Sequence, residues 1–182
     1  MPRIPSYITR DETPEELRAA FDEVAGARGG AMGGPYGVLL HSPEVATRSS
    51  NLGNYVRFNS RLTPAQVETA TLAVARFMNA EVMWASHVAF GLRDGVRQVV
   101  IDTIANRGDL SSLTDEEREL IQYVRELLDE KRVTQPTFDA LLARYGNAGV
   151  VDLAGLVGYY LFVGTALNTF EVEAPAGTPR LP

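Results

Sequence analysis

Apolar positions recur with a helical period along almost the whole chain. In residues 115–132, Leu120, Ile121, Val124, Leu127 and Leu128 fall at i, i+1, i+4, i+7 and i+8 on an otherwise charged background. That pattern is one buried stripe on a surface helix. Residues 64–78 carry Val67, Ala70, Thr71, Val74, Ala75 and Met78, a narrow small-residue face suited to close helix packing. Start signals frame these segments. Thr13-Pro14-Glu15-Glu16, Thr63-Pro64-Ala65-Gln66 and Thr114-Asp115-Glu116-Glu117 read as capping boxes, and Ser42-Pro43-Glu44 and Pro136 open further helices. Gly95, Gly108 and Gly146 follow periodic segments and read as stops. The pattern predicts helices over 14–25, 43–58, 64–78, 80–94, 96–106, 115–132, 136–145 and 149–169, with almost no strand alternation. This is an all-α, single-domain bundle of about eight helices over 1–182, with short loops and antiparallel neighbours.

Two segments break the period. Residues 26–34 are glycine-rich without the lysine and hydroxyl of a phosphate loop, and read as a flexible loop that can act as a flap over a pocket. The tail, 171–182, has three prolines from Ala174 onward and is expected to wrap a neighbour or to be disordered. The least polar stretch, Leu153 to Leu167, is uncharged but diluted by Gly155, Gly158 and Gly164. A membrane span needs roughly 18 or more apolar residues, so a buried core or subunit-interface helix is expected instead. The first residues have no apolar run of the secretory kind, which makes a soluble, cytoplasmic protein the expectation.

Charge and rare residues narrow the chemistry. The chain has 182 residues, with 17 basic against 23 acidic side chains and a net charge of −6. Such a surface repels phosphate backbones, so a nucleic-acid partner is not expected. With no cysteine, thiol peroxidase chemistry, a cysteine nucleophile and a disulfide framework are excluded. Lys131 is the one lysine, which leaves Schiff-base chemistry a single residue in a charged stretch.

The candidate chemistry gathers at residues 68 to 87. His87 sits mid-helix in EVMWASHVAFG, and Glu68 lies on the preceding helix. If 64–78 and 80–94 form a hairpin turning near residue 79, Glu68 lies about 15 Å down one arm and His87 about 12 Å down the other, at ~1.5 Å per residue. The two come level within a turn. A carboxylate beside an imidazole fixes its tautomer and makes a workable acid–base pair. The same spacing also fits a buried pair that only joins two helices. No helical metal motif accompanies them, so no metal is expected. Ser86 points about 100° away from His87 and is no triad nucleophile. His41, at a helix start, reads as a surface or capping residue. Arg57, near Tyr55 in NYVRF, is placed either at a solvated helix end or as a bidentate clamp for a substrate carboxylate. Of Tyr159 and Tyr160, one is expected to pack and one to turn its hydroxyl toward a cavity.

The stretch LTPAQVETATLAVARFMNAEVMWASHVAFGLRDGV resembles the core hairpin of the carboxymuconolactone decarboxylase family, and the resemblance extends over about 35–175. It implies an alkyl hydroperoxidase D-like, oligomeric helical fold, usually trimeric or hexameric. In the peroxidase branch a glutamate precedes the active-site histidine by 19 residues with two cysteines between them. Glu68 and His87 keep that spacing, but the cysteine positions hold Ala80 and Met83. The decarboxylase-like branch reads E-Y-E-W-x-x-H; here Glu81, Trp84 and His87 match, and Val82 and Met83 depart. The resemblance implies a cofactor-free decarboxylase of a small unsaturated carboxylated lactone, with Glu68 and His87 catalytic. Trp84, Arg57, Tyr55, Glu81 and Met83 would meet the substrate. The alternatives are a non-catalytic ligand-binding or scaffold member, or a cofactor-free isomerase or hydrolase using the same pair.

Overall fold

The computed structural model describes residues 2–30 and 32–182, and among them holds eight α-helices and no strand. They are α1 (Arg18–Ala27), α2 (Tyr36–Leu39), α3 (Pro43–Asn54), α4 (Pro64–Met78), α5 (Glu81–Arg93), α6 (Gln98–Ala105), α7 (Asp115–Arg125) and α8 (Gln135–Thr169). Two of the three capping boxes form. Thr63 accepts from the Gln66 amide while the Gln66 side chain accepts from the Thr63 amide, and Thr114 and Glu117 do the same. The third does not. The Thr13 hydroxyl donates to the Thr9 carbonyl (2.8 Å), and the chain makes a 3-10 turn, Glu15–Leu17, before α1.

Other differences from the expected elements have local causes. The predicted helices 43–58 and 115–132 each finish in a π turn, Tyr55–Asn59 and Glu126–Glu130. The expected helices 136–145 and 149–169 are joined in α8. Gly146 takes a left-handed φ of 63° there, and the helix resumes at once beyond the corner. The short α2 has no periodic signal long enough to be read.

Helix α4 is the axis of the bundle and packs against α5, α6, α7 and α8. Nine consecutive residues, Val67 to Ala75, are buried, so this helix is enclosed on every side. Its alanines allow close approach of the neighbours. The Thr69 and Thr71 hydroxyls are satisfied by the carbonyls four residues back, at 2.8 and 2.7 Å. Glu68 is the one charged side chain in the buried run. A second, smaller core joins Phe21, Val24, Tyr36 and Leu40 to Ala166 of α8.

One buried carboxylate ties these parts together. Asp152 of α8 accepts from the Arg61 amide (3.0 Å), the Tyr55 hydroxyl (3.0 Å) and the Arg61 guanidinium (3.4 Å). Burial pushes this carboxyl up, but the three donors outweigh it and hold it below the usual carboxylate range. Asp152 thereby fixes the π turn that carries Arg57.

The tail is ordered against its own chain at two points. Ala174 is buried in the core, and the Leu181 amide reaches the Glu81 carboxylate at the start of α5 (3.4 Å). Helix α8 is long and apolar enough to cross a membrane, and 56% of that stretch is buried inside the protein, as in a core helix.

Candidate functional site

The α4–α5 hairpin turns at Asn79, which closes α4 in the left-handed conformation (φ 47°) instead of capping the next helix. The turn brings Glu68 and His87 level. His87 Nδ1 lies 2.6 Å from Glu68 Oε2, with both side chains buried. In that contact the ring nitrogen donates to the carboxylate, which fixes the tautomer and leaves Nε2 without a protein partner among the described residues. The rings of Phe90 and Tyr160 meet His87 edge-on at 5.5 and 5.0 Å.

His87 lines a cavity of about 230 Å³, walled by α5 and α8 and by the segments around Arg28, Tyr36 and Arg57. Arg57 is one of two cationic residues on it, Arg28 being the other. The Arg57 Nε is buried without a hydrogen-bond partner, and its guanidinium sits over Phe58 (4.7 Å) and near Phe90 (6.0 Å). No carboxylate lies within ion-pair distance of Arg57 among the described residues. The Tyr36 and Tyr159 hydroxyls bond each other at 3.0 Å, and the Arg28 guanidinium stacks on Tyr36 at 4.4 Å. Burial pushes both the Tyr159 and Tyr160 phenols well up, so both stay protonated. The Tyr160 hydroxyl is buried with no well-formed bond; the nearby Thr71 hydroxyl donates to the Val67 carbonyl instead. The glycine-rich loop contributes Gly33 and Gly34 to the cavity, while Ala31 of that loop lies outside the described residues.

Of the residues predicted from sequence, Glu68, His87, Arg57 and Met83 come together here. Trp84, Tyr55 and Glu81 do not line the cavity. The reason is rotation about α5. At ~100° per residue, Met83 lies about 40° to one side of His87 and Trp84 about 60° to the other. Phe90, Ser86 and Val82 share the Met83 side and line the cavity. Trp84 turns into the main core, 2% exposed. Glu81 falls further round the Trp84 side and pairs with the tail. Tyr55 is held by Asp152. Ser86 donates to the Val82 carbonyl (3.0 Å), an inert use of its hydroxyl. His41 binds the Pro5 carbonyl at 2.9 Å and stays on the surface, as expected. Sequence reasoning passed over Phe90, Val163 and Leu167. Phe90 was available as the i+3 neighbour of His87, whereas Arg28 and Tyr36 arrive through loop geometry that has no sequence period. No group of three or more His, Asp or Glu side chains able to hold a metal occurs among the described residues.

Residues 43–126 match the carboxymuconolactone decarboxylase family. Solved structures agree in fold. A protein of unknown function from Agrobacterium tumefaciens, proposed to be the antioxidant defence protein AhpD, superposes with a TM-score of 0.68. It is 19% identical, over 76% of this chain and 96% of that one. The family match thus lies on the segment that carries Glu68 and His87, and the chain as a whole has an AhpD-like fold. In the same fold, the debrominase Bmp8 superposes with a TM-score of 0.71, at 11% identity without ligand. A cysteine-to-alanine variant bound to 2,3,4-tribromopyrrole gives the same score at 12% identity. Each covers 95% of this chain and 92% of its own. No curated protein matches the sequence.

Proposed function

We propose that the protein is a cofactor-free acid–base enzyme that decarboxylates a small unsaturated carboxylated lactone or a related enolisable acid. The observation that carries this reading is the buried 2.6 Å Glu68–His87 contact on a cavity wall, with Nε2 of the imidazole unengaged and Arg57 on the same cavity. Cleavage of the carbon–carboxylate bond sends its electron pair into the lactone carbonyl as an enolate. The carbon that lost CO2 becomes part of the new ring double bond, and His87, as imidazolium, donates its Nε2 proton to the dienolate carbon next to the lactone carbonyl, after which solvent recharges the imidazole. One proton is taken up, one CO2 leaves, and nothing is oxidised or reduced. Glu68 orients the imidazole and balances its charge. Arg57 anchors a carboxylate that the reaction leaves in place, and the apolar Met83 wall suits the departing group. The brominated pyrrole bound by the debrominase is a planar five-membered ring, a size that agrees with a lactone. Thiol chemistry is closed to this chain, which has no cysteine.

The test is turnover of 4-carboxymuconolactone, followed by ultraviolet absorbance and CO2 release. His87→Ala should lose about 10²–10⁴-fold in rate, the range of a positioned acid. Unchanged turnover in His87→Ala would remove His87 from the mechanism. The second reading, a ligand-binding member without catalysis, is favoured by the apolar Val82 and Met83 on the cavity wall. It predicts ligand binding with no turnover by the native protein.

A further inference from the structure

The cavity is graded along its length. On α5, Val82, Met83, His87 and Phe90 follow one another over about 12 Å, at ~1.5 Å per residue. On α8, Tyr160, Val163 and Leu167 run alongside in the opposite direction, with Tyr160 against His87. Two guanidiniums line the cavity: Arg28 over the Tyr36 ring at 4.4 Å, and Arg57 at the Phe90 end, where that ring lies 5.5 Å from His87 on one side and 6.0 Å from Arg57 on the other. The far end is formed by Val82, Val163 and Leu167, all buried and without a polar atom in their side chains. Behind it lies a second cleft of about 240 Å³, and Val82 and Leu167 line both spaces. Two side chains therefore form the shared wall, and the cleft continues between the start of α5 and the end of α8.

We infer that the ligand lies lengthwise in this cavity, its anchored carboxylate at Arg57, its reacting carbon at His87, and an alkyl or aryl substituent against Val82, Val163 and Leu167. This rests on the proposed acid–base site and adds the class of substrate: an acid with an apolar substituent at the end remote from its anchored charge. A second charge against Val82, Val163 and Leu167 would lose its water and find no partner in those side chains. An apolar group there gains about fourfold in affinity per methylene removed from water, the equivalent of ~0.8 kcal/mol.

Unreactive probes separate this inference from the question of catalysis. Calorimetric titration of the native protein with 2-furoate and its 5-alkyl derivatives, methyl to hexyl, should show affinity rising about fourfold per carbon until the far wall is reached. Furan-2,5-dicarboxylate should bind more weakly than 5-pentyl-2-furoate. Val82→Ala opens the wall and should move the optimum to a longer chain, while Leu167→Phe should move it to a shorter one. A variant that merely failed to fold would lose the whole series. The inference is overturned if affinity does not depend on chain length, if the dicarboxylate binds tighter, or if neither variant moves the optimum. Because no probe is turned over, a length-dependent series without decarboxylation of any acid would sink the catalytic reading and leave the orientation standing. Decarboxylation with a flat series would do the reverse.

Discussion

Asp152 shows how much one buried carboxylate organises. It holds Tyr55 and Arg61 on either side of the turn that carries Arg57 to the cavity, and all its donors are accounted for. Asp152→Ala should destabilise the fold by about 2–3 kcal/mol, the range for a buried hydrogen-bonded charge. It should also weaken 2-furoate binding by releasing Arg57, with urea denaturation and calorimetry as the two measurements. Loss of stability with unchanged binding would show that Arg57 is placed by other contacts. At this scale the sequence was informative where axial distance decides. Glu68 and His87 could be paired because a hairpin with a turn near residue 79 sets their level. It was less informative where rotation decides. Met83 and Trp84 both neighbour His87, yet the core claims the Trp84 side because α5 presents its largest side chain there. Nothing in the spacing says which side of a half-buried histidine faces a cavity.

Helix boundaries were legible wherever a side chain writes the signal. The Thr63 and Thr114 boxes formed, while Thr13 found a closer carbonyl and the start slipped into a 3-10 turn. The second box supplies a pH prediction. Glu117 accepts from the Arg97 guanidinium (2.9 Å) and from the Thr114 amide (2.9 Å), and its carboxyl is held down from 4.5 to about 2, chiefly by Arg97 and despite the cost of burial. A lowered folded value means the contribution is complete above about pH 4.5 and is lost as pH falls toward 2. Glu117→Gln should therefore be less stable than the native protein at pH 7, with the gap narrowing at pH 3. A gap independent of pH would separate Glu117 from this titration. At Gly53 the need is for space. A Cβ there would lie 2.4 Å from the Tyr159 hydroxyl, which bonds Tyr36. Gly53→Ala should cost about 1–3 kcal/mol in urea denaturation through overpacking, and no cost would mean that Tyr159 shifts freely.

At the scale of the molecule, the all-α bundle was readable from period and punctuation alone. The join of α8 across Gly146 was not, because a stop signal cannot say whether the chain resumes its helix. The cavity draws on α5, α8, the Arg57 turn and the loop before α2; helix spacing set only the α5 contribution, while Arg57, the Tyr159–Tyr160 pair and the glycine-rich loop were candidates by residue type. Self-association remains a proposal with a physical motive. Leu52, Tyr55, Phe58 and Val151 are large apolar side chains exposed on α3, its π turn and α8. Sedimentation should give a multiple of the 19.8 kDa chain mass, and a monomer at micromolar concentration would leave those side chains unexplained.

The central claim is that His87, oriented by Glu68, returns a proton to carbon. The most direct measurement is decarboxylation of 4-carboxymuconolactone in D2O, with proton NMR of the product. The account predicts that the native protein places one deuterium on a single face of the carbon next to the lactone carbonyl, and that His87→Gln yields no product above the spontaneous reaction. Deuterium on both faces, or equal yield from His87→Gln, would contradict it.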